Sequence, residues 1–161
     1  KNPCLFCSLA SGAQKNPSEY FVYEDDFAAV ILDRYPTQLG YCLVFPKVHY
    51  ELVQLLDEQV FLHLQSIVLL TVKAISFAID VERIYTACLG SQLLTPHIHY
   101  HIAPIPHGLP LEKQQWNSMD KSRGVIEYSP KVFNELANKI RIGFDRVKAN
   151  YVSPSVPLDL S

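Results

Sequence analysis

The sequence predicts an α+β domain in which a five-stranded antiparallel sheet is combined with one long helix and an additional C-terminal helix. Three observations carry this. Short β-branched and aromatic runs flank a long apolar stretch at residues 60–79, so that strands, helix, strands and helix follow in that order. His97-Ile98-His99-Tyr100-His101-Ile102 alternates histidine with apolar residues, the period of an extended strand with one buried face. Val132, Phe133, Leu136, Ala137, Ile140, Phe144 and Val147 recur at helical spacing near the C-terminus.

Taken in order, residues 19–24 and 27–32 are separated by Asp25-Asp26 and read as a hairpin. Residues 41–45 make a third strand, entered through Pro36 and Gly40 and ended by Pro46. Asp57 is placed as the N-cap of a helix that runs to residue 79. Residues 83–88 and 97–103 form two further strands, joined by residues 89–96. Residues 104–128, rich in proline, glycine and charge, read as a surface loop. Ser129-Pro130 then supplies an N-cap and a first-turn proline for a helix ending near residue 148, with an irregular tail after it.

A chain of 161 residues, 48% hydrophobic and 19% charged, suits one globular domain. Its formal net charge of -2 lacks the basic excess that non-specific nucleic-acid binding needs, so a small ligand is the expected partner. The apolar run at 60–79 is interrupted by His63, Gln65 and Lys73, which marks a buried helix rather than a membrane span. Its position in mid-chain is not that of a signal peptide, and the expected compartment is the cytoplasm. Cys42 and Cys88 sit singly in apolar runs, as small core residues do. Cys4-x-x-Cys7 is open to three readings: a redox dithiol, a pair of metal ligands or a disulfide.

Three imidazoles on one strand face suit two chemistries. A neutral imidazole binds a metal, or it attacks an electrophile such as phosphorus while its neighbours hold the correct tautomer. A zinc site needs ligands from beyond the strand, and Cys4, Cys7 and His49 are the candidates. His63, in the long helix, and His107, in a loop, are read as solvated or satisfied histidines.

The segment His97-Ile98-His99-Tyr100-His101-Ile102-Ala103 resembles the signature of the histidine triad (HIT) family, in which histidines alternate with apolar residues. Tyr23-Glu24-Asp25, Ala29-Val30-Ile31-Leu32-Asp33 and Gly40-Tyr41-Cys42-Leu43-Val44-Phe45-Pro46-Lys47-Val48-His49 extend the resemblance in the family's order. It divides the chain into a HIT-like domain at 1–105, and a C-terminal loop and amphipathic helix at 106–161 packed on the same domain. The retained third histidine, where the galactose-1-phosphate uridylyltransferase branch has glutamine, favours the hydrolase-like branches.

The resemblance implies a nucleotide-binding hydrolase or nucleotidyl transferase acting at the α-phosphate of a nucleoside 5'-phosphate derivative, either a dinucleoside polyphosphate or a phosphoramidate. His99 would attack phosphorus to give a nucleotidyl-histidine intermediate, and His101 would supply a hydrogen bond near the scissile phosphate. Asp33 matches an acidic position that accepts from ribose hydroxyls, and Leu5, Phe6, Leu9 and Ile31 match apolar positions around the base. Members with a leading Cys-x-x-Cys imply a structural zinc held by Cys4, Cys7, His49 and His97. Family members are commonly homodimers, and the helix at 57–79 is apolar nearly all round, as an interface helix would be.

The chain departs from the pattern ahead of the triad. Thr86 stands at the usual asparagine position, Gln92 lies one residue further from His99 than usual, and Leu94 replaces a hydroxyl residue. Ser91, Gln92 and Thr95 are the candidate substitutes. The competing expectation is therefore a zinc-stabilised nucleotide-binding or interaction module that has lost turnover. Trp116 is left without a role, with two readings open: an approach to the nucleotide site, across a dimer, or a loop anchor on the domain surface.

Overall fold

Five antiparallel strands form one sheet in the order β1-β2-β3-β5-β4 in the computed structural model of the chain, which describes residues 4–13, 21–89 and 95–150. The strands are β1 (Phe21–Glu24), β2 (Ala28–Leu32), β3 (Cys42–Pro46), β4 (Arg83–Cys88) and β5 (Tyr100–Ile105), and the helices are α1 (Leu5–Ala10), α2 (Glu58–Ala78) and α3 (Pro130–Ala149). This is the five-stranded architecture with one long and one C-terminal helix that the sequence predicts. Glu19 and Tyr20 of the first expected strand, residues 90–94 and the tail from 151 lie outside the described residues.

Both faces of the sheet are covered, which explains why β2 and β3 read as unbroken apolar runs rather than alternating ones. Val30, Leu32, Cys42, Val44, Ile98, Tyr100 and Ile102 face α2 and α3. Ala29, Ile31, Leu43, Phe45 and Ala103 face the other way, against Phe6 and Leu9 of α1 and against Tyr41. Every side chain of the two central strands β2 and β3 is buried. Burial of this kind contributes about 1.5–3 kcal/mol for each large apolar side chain.

The register places Leu43 and Ala87 on either side of His101. Directly opposed residues share a face, so Ala87, not Thr86, lies beside His101. Thr86 opposes Ile102 and is turned to the helix side. The asparagine position of the family pattern is thus unfilled by Thr86 on the histidine face.

Helix α2 lays Leu64, Ile67, Val68, Thr71, Ala74 and Ile75 into the main core. The buried Thr71 hydroxyl is satisfied by donating to the Ile67 carbonyl at 2.7 Å. By length and composition α2 would also cross a membrane, but its buried side packs on the sheet and on α3, as a core helix does. Asp57 occupies its N-cap position without a capping bond from its side chain. Ser129, by contrast, caps α3 as expected, accepting from the Val132 amide at 3.3 Å.

Helix α3 lies across α2 and the start of the sheet. Tyr23 stacks on Phe144 with ring centroids 4.9 Å apart, and Arg141 donates to the Phe21 carbonyl at 2.9 Å. The two helices touch closely at Gly143, where an added Cβ would overlap the Ala74 carbonyl oxygen and come within 3.0 Å of its carbon. Helix backbones cannot give way as a flexible side chain does. Gly143→Ala is therefore expected to destabilise the fold by ~1–3 kcal/mol through overpacking, despite alanine's better helix propensity. Urea denaturation of the two proteins checks this, and an unchanged or raised midpoint would refute the close contact.

Candidate active site and metal centre

The histidine segment enters the sheet later than alternation predicts. Regular pairing begins at Tyr100, so His101 is within β5 while His97 and His99 precede it. Local bonds replace the ladder there. The His97 amide donates to Thr95 at 2.8 Å and the Ile98 amide to Tyr50 at 2.7 Å. The alternation of faces survives this change: Ile98 and Tyr100 enter the main core, while the rings of His99 and His101 stand 4.7 Å apart on the other side.

Two hydrogen bonds decide what these imidazoles present. His97 Nε2 lies 2.9 Å from the Pro46 carbonyl and His99 Nδ1 lies 2.7 Å from the His97 carbonyl. A carbonyl only accepts, so each of these nitrogens carries the proton and the opposite nitrogen of each ring keeps its lone pair. His97 thereby offers Nδ1, and His99 offers Nε2. His101 Nδ1 is 2.8 Å from the Tyr41 hydroxyl.

His97 Nδ1 points at two thiols, 3.3 Å from Cys4 Sγ and 3.6 Å from Cys7 Sγ. Cys7 Sγ is also 3.3 Å from His49 Nδ1, and the four donor atoms all lie within 4.8 Å of one another. A tetrahedral ion with bonds of about 2.0–2.3 Å would separate its donors by about 3.3–3.8 Å, so the set closes around one cation with little movement. Outer partners hold the ligands in place: Pro46 on His97, and Glu51 at 3.5 Å from His49 Nε2. Cys4, Cys7, His49 and His97 could thus hold a metal ion, as the sequence anticipates. Burial pushes the His97 imidazole down to about 4, and burial together with Cys4 pushes the Cys7 thiol up to about 11.

Beside this centre opens a cavity of about 680 Å³. Its apolar wall contains Leu5, Phe6, Leu9 and Ile31, and its polar side contains Asp33, His99 and His101. All seven of these residues, drawn from three separate stretches of sequence, line one space. Phe6, Leu9 and Ile31 are core residues as well as wall residues, whereas Leu5 is 45% exposed. The Phe6 ring links the two centres, 5.5 Å from the His97 ring and 4.9 Å from the His99 ring.

The histidines that line the cavity are held uncharged. Burial lowers the proton affinity of His99; its bond to the His97 carbonyl opposes this, and the charge of Lys121 adds to it. Burial pushes His101 down to about 3, with His99 and Lys121 acting in the same direction. The free lone pair of a neutral His99 is what nucleophilic attack requires.

The far wall has no counterpart in the sequence reading. The expected surface loop at 104–128 folds into short 3-10 turns at Leu111–Lys113, Gln115–Ser118 and Lys121–Arg123, and returns over the cavity. Trp116, Met119, Asp120, Lys121 and Ser122 line it. Trp116 is therefore a wall residue, 63% exposed, rather than a loop anchor. Leu43, Arg34 and Tyr35 were also missed. Thr95 lines the cavity, whereas Ser91, Gln92 and Leu94 fall outside the described residues.

An alternating histidine face over a closed Cys2His2 set, on a five-stranded antiparallel sheet, defines a class of protein, and comparison with known proteins agrees with it. Residues 14–107 match the family model of the HIT domain, and the chain belongs to the HIT family. An uncharacterized HIT-like protein of Saccharolobus solfataricus is 30% identical over 146 residues, covering 85% of this chain and 99% of that protein. An adenylylsulfatase of Arabidopsis thaliana is 31% identical over 108 residues, 65% of this chain and 53% of the enzyme. Among solved structures, a hypothetical histidine triad nucleotide-binding protein from Sulfolobus tokodaii superposes with a TM-score of 0.72 at 30% identity, covering 90% of this chain and 94% of that one.

Proposed function

We propose that the protein is a nucleotide phosphohydrolase, with nucleotidyl transfer as the variant reaction, acting at the α-phosphorus of a nucleoside 5'-phosphate derivative. The observation that carries this reading is the bond from His99 Nδ1–H to the His97 carbonyl, which leaves Nε2 as the free lone pair of a cavity residue. His99 Nε2 forms a bond to phosphorus as the bond to the leaving group breaks and takes its electron pair away. The His97 carbonyl stabilises the positive ring that results. Water then attacks phosphorus as the Nε2–phosphorus bond breaks and its electron pair returns to His99, releasing the nucleoside monophosphate; one water proton goes to solvent, matching the proton taken up by the departed leaving group. His101, accepting from the Tyr41 hydroxyl at Nδ1, donates from Nε2 to a phosphate oxygen.

The base sits between Leu5, Phe6, Leu9 and Ile31, and Asp33 accepts from the ribose hydroxyls. The relationship to an adenylylsulfatase supports a reaction on a nucleotide derivative. His99→Ala is expected to keep its fold and lose at least about a thousandfold in turnover, since the covalent route needs this atom. Single-turnover assays on dinucleoside polyphosphates and nucleoside phosphoramidates, with acid-quench trapping of a nucleotidyl adduct in the wild type, measure it. Equal rates for the two proteins would sink the enzyme reading in favour of a binding module.

The metal is zinc, on the chemistry of two thiols and two imidazoles. Its binding residues Cys4 and Cys7 bracket the start of α1, so the ion fixes the helix that supplies Leu5, Phe6 and Leu9 to the base wall. Protein purified without added metal is expected to carry about one zinc per chain. Chelation should lower both the melting temperature and the affinity for nucleotide. Metal-free protein with reduced thiols and unchanged melting would reject the site.

The chain forms a homodimer. Leu62, Leu69 and Phe77 are 48%, 45% and 57% exposed on α2, more apolar surface than a solvated helix face holds. Light scattering is expected to give the mass of two copies, and Leu69→Glu that of one. A monomeric wild type would refute the interface. The free cysteines fit a reducing compartment, the cytoplasm.

A further inference from the structure

The segment after the sheet contributes a cation to the lining of the cavity. Lys121 Nζ donates to Asp33 Oδ2 at 2.6 Å, while the other oxygen of that carboxylate accepts from the Tyr35 amide at 3.0 Å. Asp33 is buried and its side chain is 8% exposed; that of Lys121 is 47% exposed. This lysine is held by its surroundings. Asp120 caps its 3-10 turn by accepting from the Ser122 amide and hydroxyl, at 3.0 and 2.6 Å. On either side the segment is tied to the loop between β2 and β3. Thr37 donates its hydroxyl proton to the Ser118 carbonyl, Ile126 donates to Pro36 at 2.7 Å, and Gly40 donates to the Tyr128 hydroxyl at 3.1 Å.

We propose that Lys121 is a specificity-determining residue of the cavity, coupling the Asp33 carboxylate to the phosphate of a 5'-phosphorylated nucleoside. The inference rests on the nucleotide reading above and deepens it. A carboxylate has about four acceptor positions and an ammonium three donors. With one bond formed between them, Asp33 keeps acceptors for a ribose diol and Lys121 keeps two donors. Lys121 lines the same cavity as Asp33, His99 and His101, so it shares one space with the sugar end and the phosphorus end of the site. Without it, a ligand phosphate would meet the buried Asp33 carboxylate as an uncompensated like charge. The positions on either side of His101 in the sheet, Leu43 and Ala87, carry no charge.

Calorimetric titration of wild type, Lys121→Met and Lys121→Arg with adenosine, guanosine and their 5'-monophosphates tests the assignment. The wild type is expected to bind a monophosphate at least about tenfold more tightly than the matching nucleoside, as a charge-assisted contact allows. Lys121→Met should abolish most of that ratio while changing nucleoside affinity by less than about threefold, and Lys121→Arg should retain it. Equal weakening of nucleoside and monophosphate would overturn the proposal and reduce Lys121 to a support for Asp33. No change in either would reduce it to a surface ion pair. A wild type that binds neither ligand overturns both readings, whereas a Lys121 failure beside loss of turnover in His99→Ala leaves the nucleotide reading standing.

Discussion

The alternation of side chains through residues 97–105 is the constraint on which the rest of the structure depends. Ile98, Tyr100 and Ile102 are driven into the core beneath α2 and α3, and each fixes its histidine neighbours on the opposite face. A one-residue slip would bury three imidazoles among aliphatic side chains and expose the core residues. Hydrophobic burial on one side of β5 therefore holds the chemistry on the other. The site needs no separate scaffold, since the force that folds the domain also aims the histidines.

The same segment shows why a strand alone would not suffice. On a regular strand the His97 carbonyl would be spent in the ladder with a neighbouring strand. Here pairing begins at Tyr100, and that carbonyl is free to accept from His99 Nδ1. The local bond fixes the tautomer of His99, while the carbonyl of Pro46 fixes that of His97. Two neighbouring imidazoles are thus polarised through opposite nitrogens: one presents Nδ1 to the thiols and the other presents Nε2 to the cavity. Irregular backbone at this point is what separates a metal ligand from a nucleophile two residues away.

These facts bound what the sequence could reveal. Cys4-x-x-Cys7 alone left three readings open, and its union with His49 and His97 came with the family resemblance. Period-two alternation is a local pattern, so the histidine face was legible from residue order. Ser129-Pro130 was legible as a helix start for the same reason. The late entry of β5 was not, because side-chain-to-backbone bonds compete with the ladder and leave no mark on hydrophobic periodicity. The far wall was hidden for another reason. Residues 104–128 have loop composition, and the side chains that anchor them, Gln114 and Ser118, are polar residues buried through their hydrogen bonds. Tyr85 donates to Gln114 at 3.3 Å, Gln114 donates to Leu109 at 2.7 Å and Ser118 donates to Gln115 at 2.6 Å. Part of this burial rests on partners far apart in sequence, 29 residues for Tyr85 and Gln114 and 81 for Thr37 and Ser118, and no local window contains both members of either pair.

The wall changes how the extra C-terminal length should be understood. An additional helix that only thickened the core could be added to this sheet without touching the site, as α3 does through Gly143 and Phe144. The 24 residues between β5 and α3 do more, because they are fastened to the β2–β3 loop that also carries Asp33. Anchoring α3 on the helix side and the 3-10 turns on the histidine side makes one continuous strap around the edge of the sheet. The segment that lies outside the histidine motif is in this way mechanically part of the cavity.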